Sequence, residues 1–512
     1  MKAIKLREAD AMKEKLVSIN PGNLSKVGEV DITTKEELAE IVRRAKQAQL
    51  GWEALGFHGR RPFFNSLAAY LLDNWQEIAK SISLENGKPY LEATLAEVYP
   101  VIDDIKYFAK RAQRLLSDAK IPIRLFKFIG KKSYMTYRPV GVVGIISPWN
   151  YPYLIPFSEV IMAMVAGNAV ILKPSELTPL TGGKIQEAMD AAGFPRDVFS
   201  VIYGDGRTGA ELVKAGLSKI IFTGSVATGK KIMAAAAESL TPVVLELGGK
   251  DPMVVLKDAD LDMAARGAVW AAFMNSGQTC ASVERVYVDE SIRSEFTELV
   301  VGHTMKLRHG DRLDDHSTDV GAMIDERQLA IVESHVADAV SKGAKVLTGG
   351  KRPEALKGYF YQPTVLDTVD HRMKIMTEET FGPCLPIMGF RTEEEAVRLA
   401  NDSRYALTAS VWSKDIGRAT SIARQIVAGT VAINDHAMTY GIPETPWGGS
   451  KESGFGRTHS TIGLMEMVEP VHIHVDRGWL RRKPWWYPYG DSTSRFVRAI
   501  IWLTRHLGFL ID

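Results

Sequence analysis

Cysteine is scarce in this sequence. Two cysteines in 512 residues cannot build a disulfide framework, which points to a reducing compartment. Long hydrophobic runs are missing too. With no uninterrupted stretch of about 18 apolar residues, no membrane-spanning helix is expected. Neither sign of charge dominates. A formal net charge of +2 provides no global field for nucleic acid. The opening residues, MKAIKLREADAMKEKL, mix Lys with Glu and Asp around no apolar core, so they do not read as a secretory signal. Internal repeats and low-complexity segments are also absent. What remains is a globular composition, 46% hydrophobic and 24% charged, in a chain too long for one core. The expectation is a cytoplasmic protein of two to three domains.

Residues 36–118 read as helical, with Phe64, Leu67, Leu71 and Trp75 recurring at helical spacing among charged residues. Ile121 to Phe128 alternates instead. After Gly130, Ser133 to Tyr137 can return as the second strand of a ribbon. From Val142 onward, short β-branched runs alternate with helical segments: VVGIIS, AVILK, FSVIYG, KIIFTG and PVVLEL. Runs without polar alternation predict strands buried on both faces of a parallel sheet. Helices between them predict a doubly wound α/β fold. A second series, PMVVL, ERVYVD, AKVLTG, LPIMGF, TASVWS and TVAIND, predicts a second α/β domain.

Four segments could carry chemistry. Cys280 follows Ser-Gly-Gln-Thr, a run that can turn and expose a thiol, although a lone Cys is more often a small core residue. Glu246 ends the run PVVLEL before two glycines. An apolar surround there would raise its pKa and suit it to proton abstraction. Asn150, between Trp149 and Tyr151 after a buried strand, could donate to an oxyanion or simply make the turn before Pro152. TGSVATGK nearly matches a phosphate-binding loop, but Lys231 stands where Ser or Thr should hold Mg²⁺, so a nucleotide hydrolase is not expected. A Gly-Ser turn at a helix start still suits a pyrophosphate.

Each segment alone is ambiguous, but their order is not. SPWNYP, ILKPSE, FTGS with a later Gly, LELGGK, GQTC, EETFGP and PWGGSKESGFGR together resemble the aldehyde dehydrogenase superfamily, from INPG at 19–22 to the strand near Val475. The resemblance implies two doubly wound α/β domains, one Rossmann-like and NAD-binding (1–118 and 140–247), the other catalytic (248–446). It adds a small β oligomerisation arm (119–139 and 459–477), followed by a tail (478–512). It implies Cys280 as nucleophile on the aldehyde carbonyl, Asn150 with the Cys280 N–H as oxyanion donors, and Glu246 as the base that hydrolyses a thioester.

By the same resemblance, Lys173 and Glu176 would contact the adenosine ribose. Gly224 and Ser225 would face the pyrophosphate, with Gly206 and Gly229 allowing close packing. Trp149, Glu379 and Phe381 would lie at the nicotinamide end. Glu176 would repel a 2′-phosphate, so NAD is expected, with NADP use left open. The acylating, coenzyme A-dependent alternative is disfavoured by Glu246, and a silent scaffold by the presence of Cys280, Glu246 and Asn150 together.

Substrate contacts are expected from Tyr153, Leu154, Phe157, Met274, Thr279 and the loop 434–446, which contains no Arg or Lys. An apolar aldehyde of medium to long chain, or an aromatic one, fits this better than an acid semialdehyde. A homodimer or homotetramer is expected. His472 and His474 alternate with Val471, Ile473 and Val475 and read as surface residues of a strand rather than metal ligands. Cys384 reads as a buried thiol without a catalytic part.

In the tail, Phe496, Val497, Ile500, Ile501, Leu503, Leu507 and Leu510 share one side of a helix, with Arg495, Arg498 and Arg505 on the other. A basic amphipathic helix near Trp485, Trp486, Tyr487 and Tyr489 fits peripheral membrane contact through 494–512. Packing on a neighbouring subunit or over the substrate tunnel fits equally.

Overall fold

The structure, a computed structural model, describes residues 13–123, 130–311 and 317–506. Described residues of 13–112 and 140–467 form one compact unit, and those of 113–139 and 468–506 form another.

The larger unit is α/β and contains two sheets built of mostly parallel strands. The first takes its parallel strands from the five apolar runs: β1 (Val142–Ile146), β2 (Ala169–Lys173), β3 (Phe199–Val201), β4 (Lys219–Thr223) and β5 (Val243–Glu246). Every residue of β1 and β2 is buried, the pattern of strands covered on both faces. The second sheet contains β6 (Asp251–Val255), β7 (Val283–Asp289), β8 (Lys345–Thr348), β9 (Thr364–Asp367), β10 (Cys384–Phe390), β11 (Thr408–Trp412) and β12 (Thr430–Ile433). Its order is β8-β9-β10-β7-β6-β11-β12, all parallel except the exposed edge strand β8. A two-residue strand, β13 (Gly454–Phe455), closes the first sheet antiparallel to β5, giving β13-β5-β4-β1-β2-β3. Both α/β series of the sequence are present. β9 and the hairpin Lys15–Ile19/Lys26–Asp31 are additions that patterning did not single out.

The N-terminal helical stretch resolves into helices Lys35–Ala54, Gly56–Asn86, Tyr90–Ala93 and Tyr99–Leu115. Thr34 caps the first in a reciprocal box with Glu37, and left-handed Gly87 ends the second. Between the last two, Thr94–Val98 forms a π turn. Such a turn widens the spiral by one residue and re-aims what it carries, here the buried Glu97.

The helix Leu154–Ala166 is buried along its whole length, as its nearly uniform apolar sequence requires. No helix among the described residues is long and apolar enough to cross a membrane.

In the smaller unit, Lys131–Pro139 pairs antiparallel with Ala119–Ile121 on one side and Val468–Asp476 on the other. The ribbon expected over Ile121–Phe128 is described only in part, since 124–129 lie outside the described residues. Val468–Asp476 is largely exposed. The ring centroids of His472 and His474 are 6.2 Å apart, and among the described residues no group of three His, Cys, Asp or Glu could hold a metal ion. The tail helix spans Asp491–His506 with no buried residue; Leu507 and Leu510 lie outside the described residues.

Candidate active site

The turn that presents Cys280 has an unusual backbone. After the helix Leu261–Phe273, Asn275, Ser276 and Gly277 follow one another with φ of 52°, 57° and 72°. Left-handed conformations cost non-glycine residues free energy and persist only where the surroundings fix them. The fixings are named contacts. Asn275 N–H donates to Glu92 Oε1 at 2.6 Å, and Asn275 Nδ2 donates to the Asn150 carbonyl at 2.8 Å. Ser276 Oγ donates to the Gly321 carbonyl at 2.8 Å, and Gln278 Oε1 accepts from Ile324 N–H at 2.8 Å. At Gly277 only glycine fits, because a Cβ would stand 2.2 Å from the Gly382 carbonyl oxygen.

Cys280 is partly exposed and packs against Ala281, Leu407 and Trp447, beside Ala437 and Tyr440. Burial, followed by the Asp251, Glu246 and Glu379 carboxyls, pushes its thiol above the usual range. A thiol so placed needs a base to ionise it.

Asn150 reaches the same turn from the end of β1. Its Nδ2 donates to the Gln278 carbonyl at 3.0 Å, two residues before the cysteine. Beneath it lies a group that the sequence reading missed. Lys88 is wholly buried, donates to Glu97 at 2.6 Å and to the Asn150 carbonyl at 2.8 Å, and sits 3.9 Å from the Tyr151 ring centroid. Glu97 also accepts from the backbone N–H of Tyr153 and Leu154, at 2.8 and 3.3 Å, anchoring the start of the helix that follows.

Glu246 ends β5 and is 5% exposed. Neither carboxylate oxygen has a hydrogen-bond partner among the described residues. Burial and then the Glu159 carboxyl raise its pKa well above the ordinary value, while Arg457 and the Trp447 side chain draw it partly back. The burial expected from the sequence is present, but the surround is not wholly apolar, since Glu159 and Arg457 stand near the carboxyl. Immediately beyond, the Gly249 N–H donates to Glu379 Oε1 at 3.0 Å, and a Cβ on Gly249 would stand 2.5 Å from the Cys280 carbonyl oxygen. Glu379 is pushed up to about 8, chiefly by burial and then by Glu284. Phe381 meets Trp149 edge to face at 5.5 Å. Cys280, Asn150, Glu246, Glu379, Phe381 and Trp149 therefore converge where the two sheets present the ends of β1, β5 and β6.

The remaining cofactor candidates lie along the ends of β2 and β4. Lys173 is buried, with Nζ 3.4 Å from exposed Glu176 and 3.1 Å from the Pro174 carbonyl. Burial lowers its pKa, partly offset by Glu176 and then Asp205. Gly224 precedes Ser225, which caps the helix Val226–Ala237 by accepting from the Thr228 N–H. Gly229 is closely packed, since a Cβ would stand 2.6 Å from Leu247. Gly206 differs from expectation: a Cβ there would meet nothing within 4 Å, so the chain itself does not pack closely against it. It starts the short helix Gly206–Val213 and faces open space.

The substrate candidates divide. Thr279 Oγ1 lies 2.8 Å from the Tyr151 hydroxyl, and Met274 is partly exposed beside it. Tyr153 and Phe157, by contrast, are wholly buried and pair edge to face at 5.2 Å, so neither offers surface to a ligand. They stand four apart on one helix face, which turns toward Tyr70 and Glu187. Tyr151, two residues earlier, is the tyrosine that meets the cysteine turn. Leu154 is buried with its N–H on Glu97. Of the loop 434–446, Ala437 and Tyr440 pack against the same Ala281, Leu407 and Trp447 cluster as Cys280. Trp447 stands in the quoted PWGGS motif, the one signal that could have singled it out. Cys384 is buried in β10.

Residues 7–473 match the aldehyde dehydrogenase family. A 4,4'-diapolycopene aldehyde oxidase of Methylomonas sp is 41% identical over 93% of this chain and 89% of that protein. The peroxisomal aminoaldehyde dehydrogenase 1 of Pisum sativum is 38% identical over 93% and 95%. The structure of betaine aldehyde dehydrogenase from Staphylococcus aureus in complex with NAD+ superposes with a TM-score of 0.87, at 34% identity over 93% of this chain and 94% of that one. The chain belongs to the aldehyde dehydrogenase family and is an oxidoreductase acting on the aldehyde group.

Proposed function

We propose that the chain oxidises an apolar aldehyde, of medium to long chain or aromatic, to its carboxylic acid with NAD, through a thioester on Cys280. The observation that carries this is the convergence of Cys280, Asn150 and Glu246 on one turn, with apolar Ala281, Leu407, Trp447 and Ala437 around the thiol. Glu246 takes the thiol proton, and Sγ adds to the carbonyl carbon. The second Asn150 amide hydrogen and the Cys280 N–H hold the oxyanion. Once Glu246 has released the thiol proton to solvent, it takes a proton from water, whose oxygen bonds to the acyl carbon as the carbon–sulfur bond to Cys280 breaks.

The residues present fit the cofactor. Lys173 and Glu176 supply a donor and an acceptor for ribose hydroxyls. The open space at Gly206 and the capped helix start at Gly224–Ser225 suit a pyrophosphate, with Gly229 packing that helix against Leu247. Glu379, Phe381 and Trp149 serve the nicotinamide end. NAD, when bound, supplies the hydride acceptor. The exposed Glu176 carboxylate favours ribose hydroxyls over a 2′-phosphate. On this reading 1–118 and 140–247 form the cofactor domain and 248–446 the catalytic domain. The exposed strand Val468–Asp476 serves as an oligomerisation edge for a homodimer or homotetramer.

The exposed tail helix carries Val497, Ile500, Ile501 and Trp502 beside Arg495, Arg498 and Arg505, the composition of a helix that lies on an anionic lipid surface. Deleting 478–512 is expected to abolish co-sedimentation with anionic vesicles; unchanged binding would discard that role.

The decisive assay is NADH formation from aldehydes of two to sixteen carbons, with benzaldehyde, an aminoaldehyde and succinic semialdehyde alongside. Rates should rise toward long apolar substrates and fall at least about a thousandfold in Cys280→Ala. Preference for the aminoaldehyde would instead give the buried Asp104, whose charge reaches Tyr440, a part in substrate choice.

A further inference from the structure

The helix Leu154–Ala166 has thirteen residues, all buried, and only Ser158 and Glu159 among them carry polar side chains. Ser158 is accounted for, since its hydroxyl donates to Asp104. Glu159 is not. It is 1% exposed, its Oε1 accepts from Thr223 Oγ1 at 3.3 Å, and its Oε2 has no hydrogen-bond partner among the described residues. A carboxyl in such a helix with no cation beside it is costly to charge, so its position calls for a reason.

The strand register indicates one. Thr223, which holds Glu159, is the ladder partner of Glu246 across β4 and β5. The Glu159 carboxyl, held by Thr223, and the Glu246 carboxyl therefore lie toward the same end of the sheet. The groups facing them are few. Arg457 and Trp447 lie beside Glu246, and Tyr440 lies near both carboxyls, with Asp104 and Cys280 beyond it. A Cβ on Gly448 would stand 2.8 Å from Glu246 Oε1 and 2.9 Å from Arg457 Cδ.

We propose that Glu159 and Glu246 form an electrostatically coupled carboxyl pair, with the charge on Glu159 setting the ease with which the base loses its proton. The inference rests on Glu246 as the hydrolytic base. Two like charges in a buried site cannot both form at neutral pH, so the pair titrates as a unit. Burial, partly offset by the Thr223 hydroxyl, pushes Glu159 up to about 8. In hydrolysis, water loses a proton to Glu246 and its oxygen bonds to the acyl carbon. The carbon–sulfur bond breaks with its electron pair returning to Sγ, and the acquired proton leaves Glu246 to solvent, a loss that a charge on Glu159 opposes. Glu159 touches no reacting atom on this account and is a positioning residue acting through Glu246.

The test uses p-nitrophenyl acetate, which acylates Cys280 with release of p-nitrophenolate and needs no redox step. The burst counts reactive thiols, and the steady rate reports acyl-enzyme hydrolysis. Glu159→Gln is expected to move the acid limb of the steady rate down by about one pH unit, with an unchanged burst amplitude. Glu159→Met, which leaves the buried helix apolar, should give the same shift. An acid limb that stays in place in both variants overturns the pair. If Glu246→Gln keeps the wild-type steady rate and acid limb, it is Glu246 as base that fails.

Discussion

The molecule holds two lysine–carboxylate pairs of nearly equal length in different settings. In the larger unit, Lys88 and Glu97 meet at 2.6 Å with both side chains wholly buried. In the smaller unit, Lys131 and Asp476 meet at 3.0 Å, and Asp476 also takes Lys483 at 2.8 Å, with the Asp476 carboxylate open to solvent although both lysines are largely covered. Distance alone would rank them together. Burial separates them, because the buried pair has given up its hydration and each member is indispensable to the other, whereas the solvated pair can trade its partner for water. The lesson extends to the functional reading: the buried pair holds the backbone of Asn150 and the N–H groups of Tyr153 and Leu154, so its loss would be felt at the cysteine turn.

The comparison can be tested directly. Lys88→Met should destabilise the fold by about 3–5 kcal/mol, since the buried Glu97 loses the ammonium that balances its charge and keeps only backbone donors, and thermal unfolding would read it. An unchanged melting temperature would show that Glu97 simply takes a proton. Next in size is Gly277→Ala, where the left-handed backbone alone should cost about 1–3 kcal/mol and the contact with Gly382 adds to it. Its activity should fall with its stability, because Cys280, the proposed nucleophile, lies three residues on.

A smaller effect concerns pH. Asp104 is pushed up to about 7, chiefly by burial, from an ordinary value of 3.8. A carboxyl raised on folding contributes stability that is fully present below its unfolded pKa and is lost as pH rises through the folded one. Asp104→Asn should therefore gain on the wild type in melting temperature between pH 5 and 8; a constant difference across that range would remove Asp104 from the account. Smallest of all, Lys131→Met should leave the melting temperature unchanged, and a drop comparable with that of Lys88→Met would erase the contrast between the two regions.

Sequence patterning located the parallel strands because both faces of each are covered, which leaves uninterrupted β-branched runs such as AVILK. The edge strand β8 was also found, whereas β9, packed inside the same sheet, sat in the loop-like setting YQPTVLDTV and escaped. Asn150, Glu246 and Cys280 were legible through motif order, since each stands at a strand end or turn whose neighbours are distinctive. Lys88, Glu92 and Glu97 were not. In a helical stretch rich in charge they look like any solvated face, and the π turn that buries Glu97 leaves no mark in the hydrophobic period. That Tyr151 is the tyrosine at the cysteine turn was not legible either. Tyr151 and Tyr153 both follow Asn150 closely, and only the entry angle of the helix decides which one faces Thr279.

The hidden ammonium of Lys88 also bears on ionic strength. Mobile ions screen charges they can surround, over about 8 Å at physiological salt, and a pair with no exposed surface is beyond their reach. Salt added to the medium should weaken Lys131 and Lys483 on Asp476 while leaving the support beneath Asn150 as it was. The geometry that holds Asn150, the proposed oxyanion donor, would thus persist from dilute buffer to brine, even as the surface around it loses its electrostatic ties.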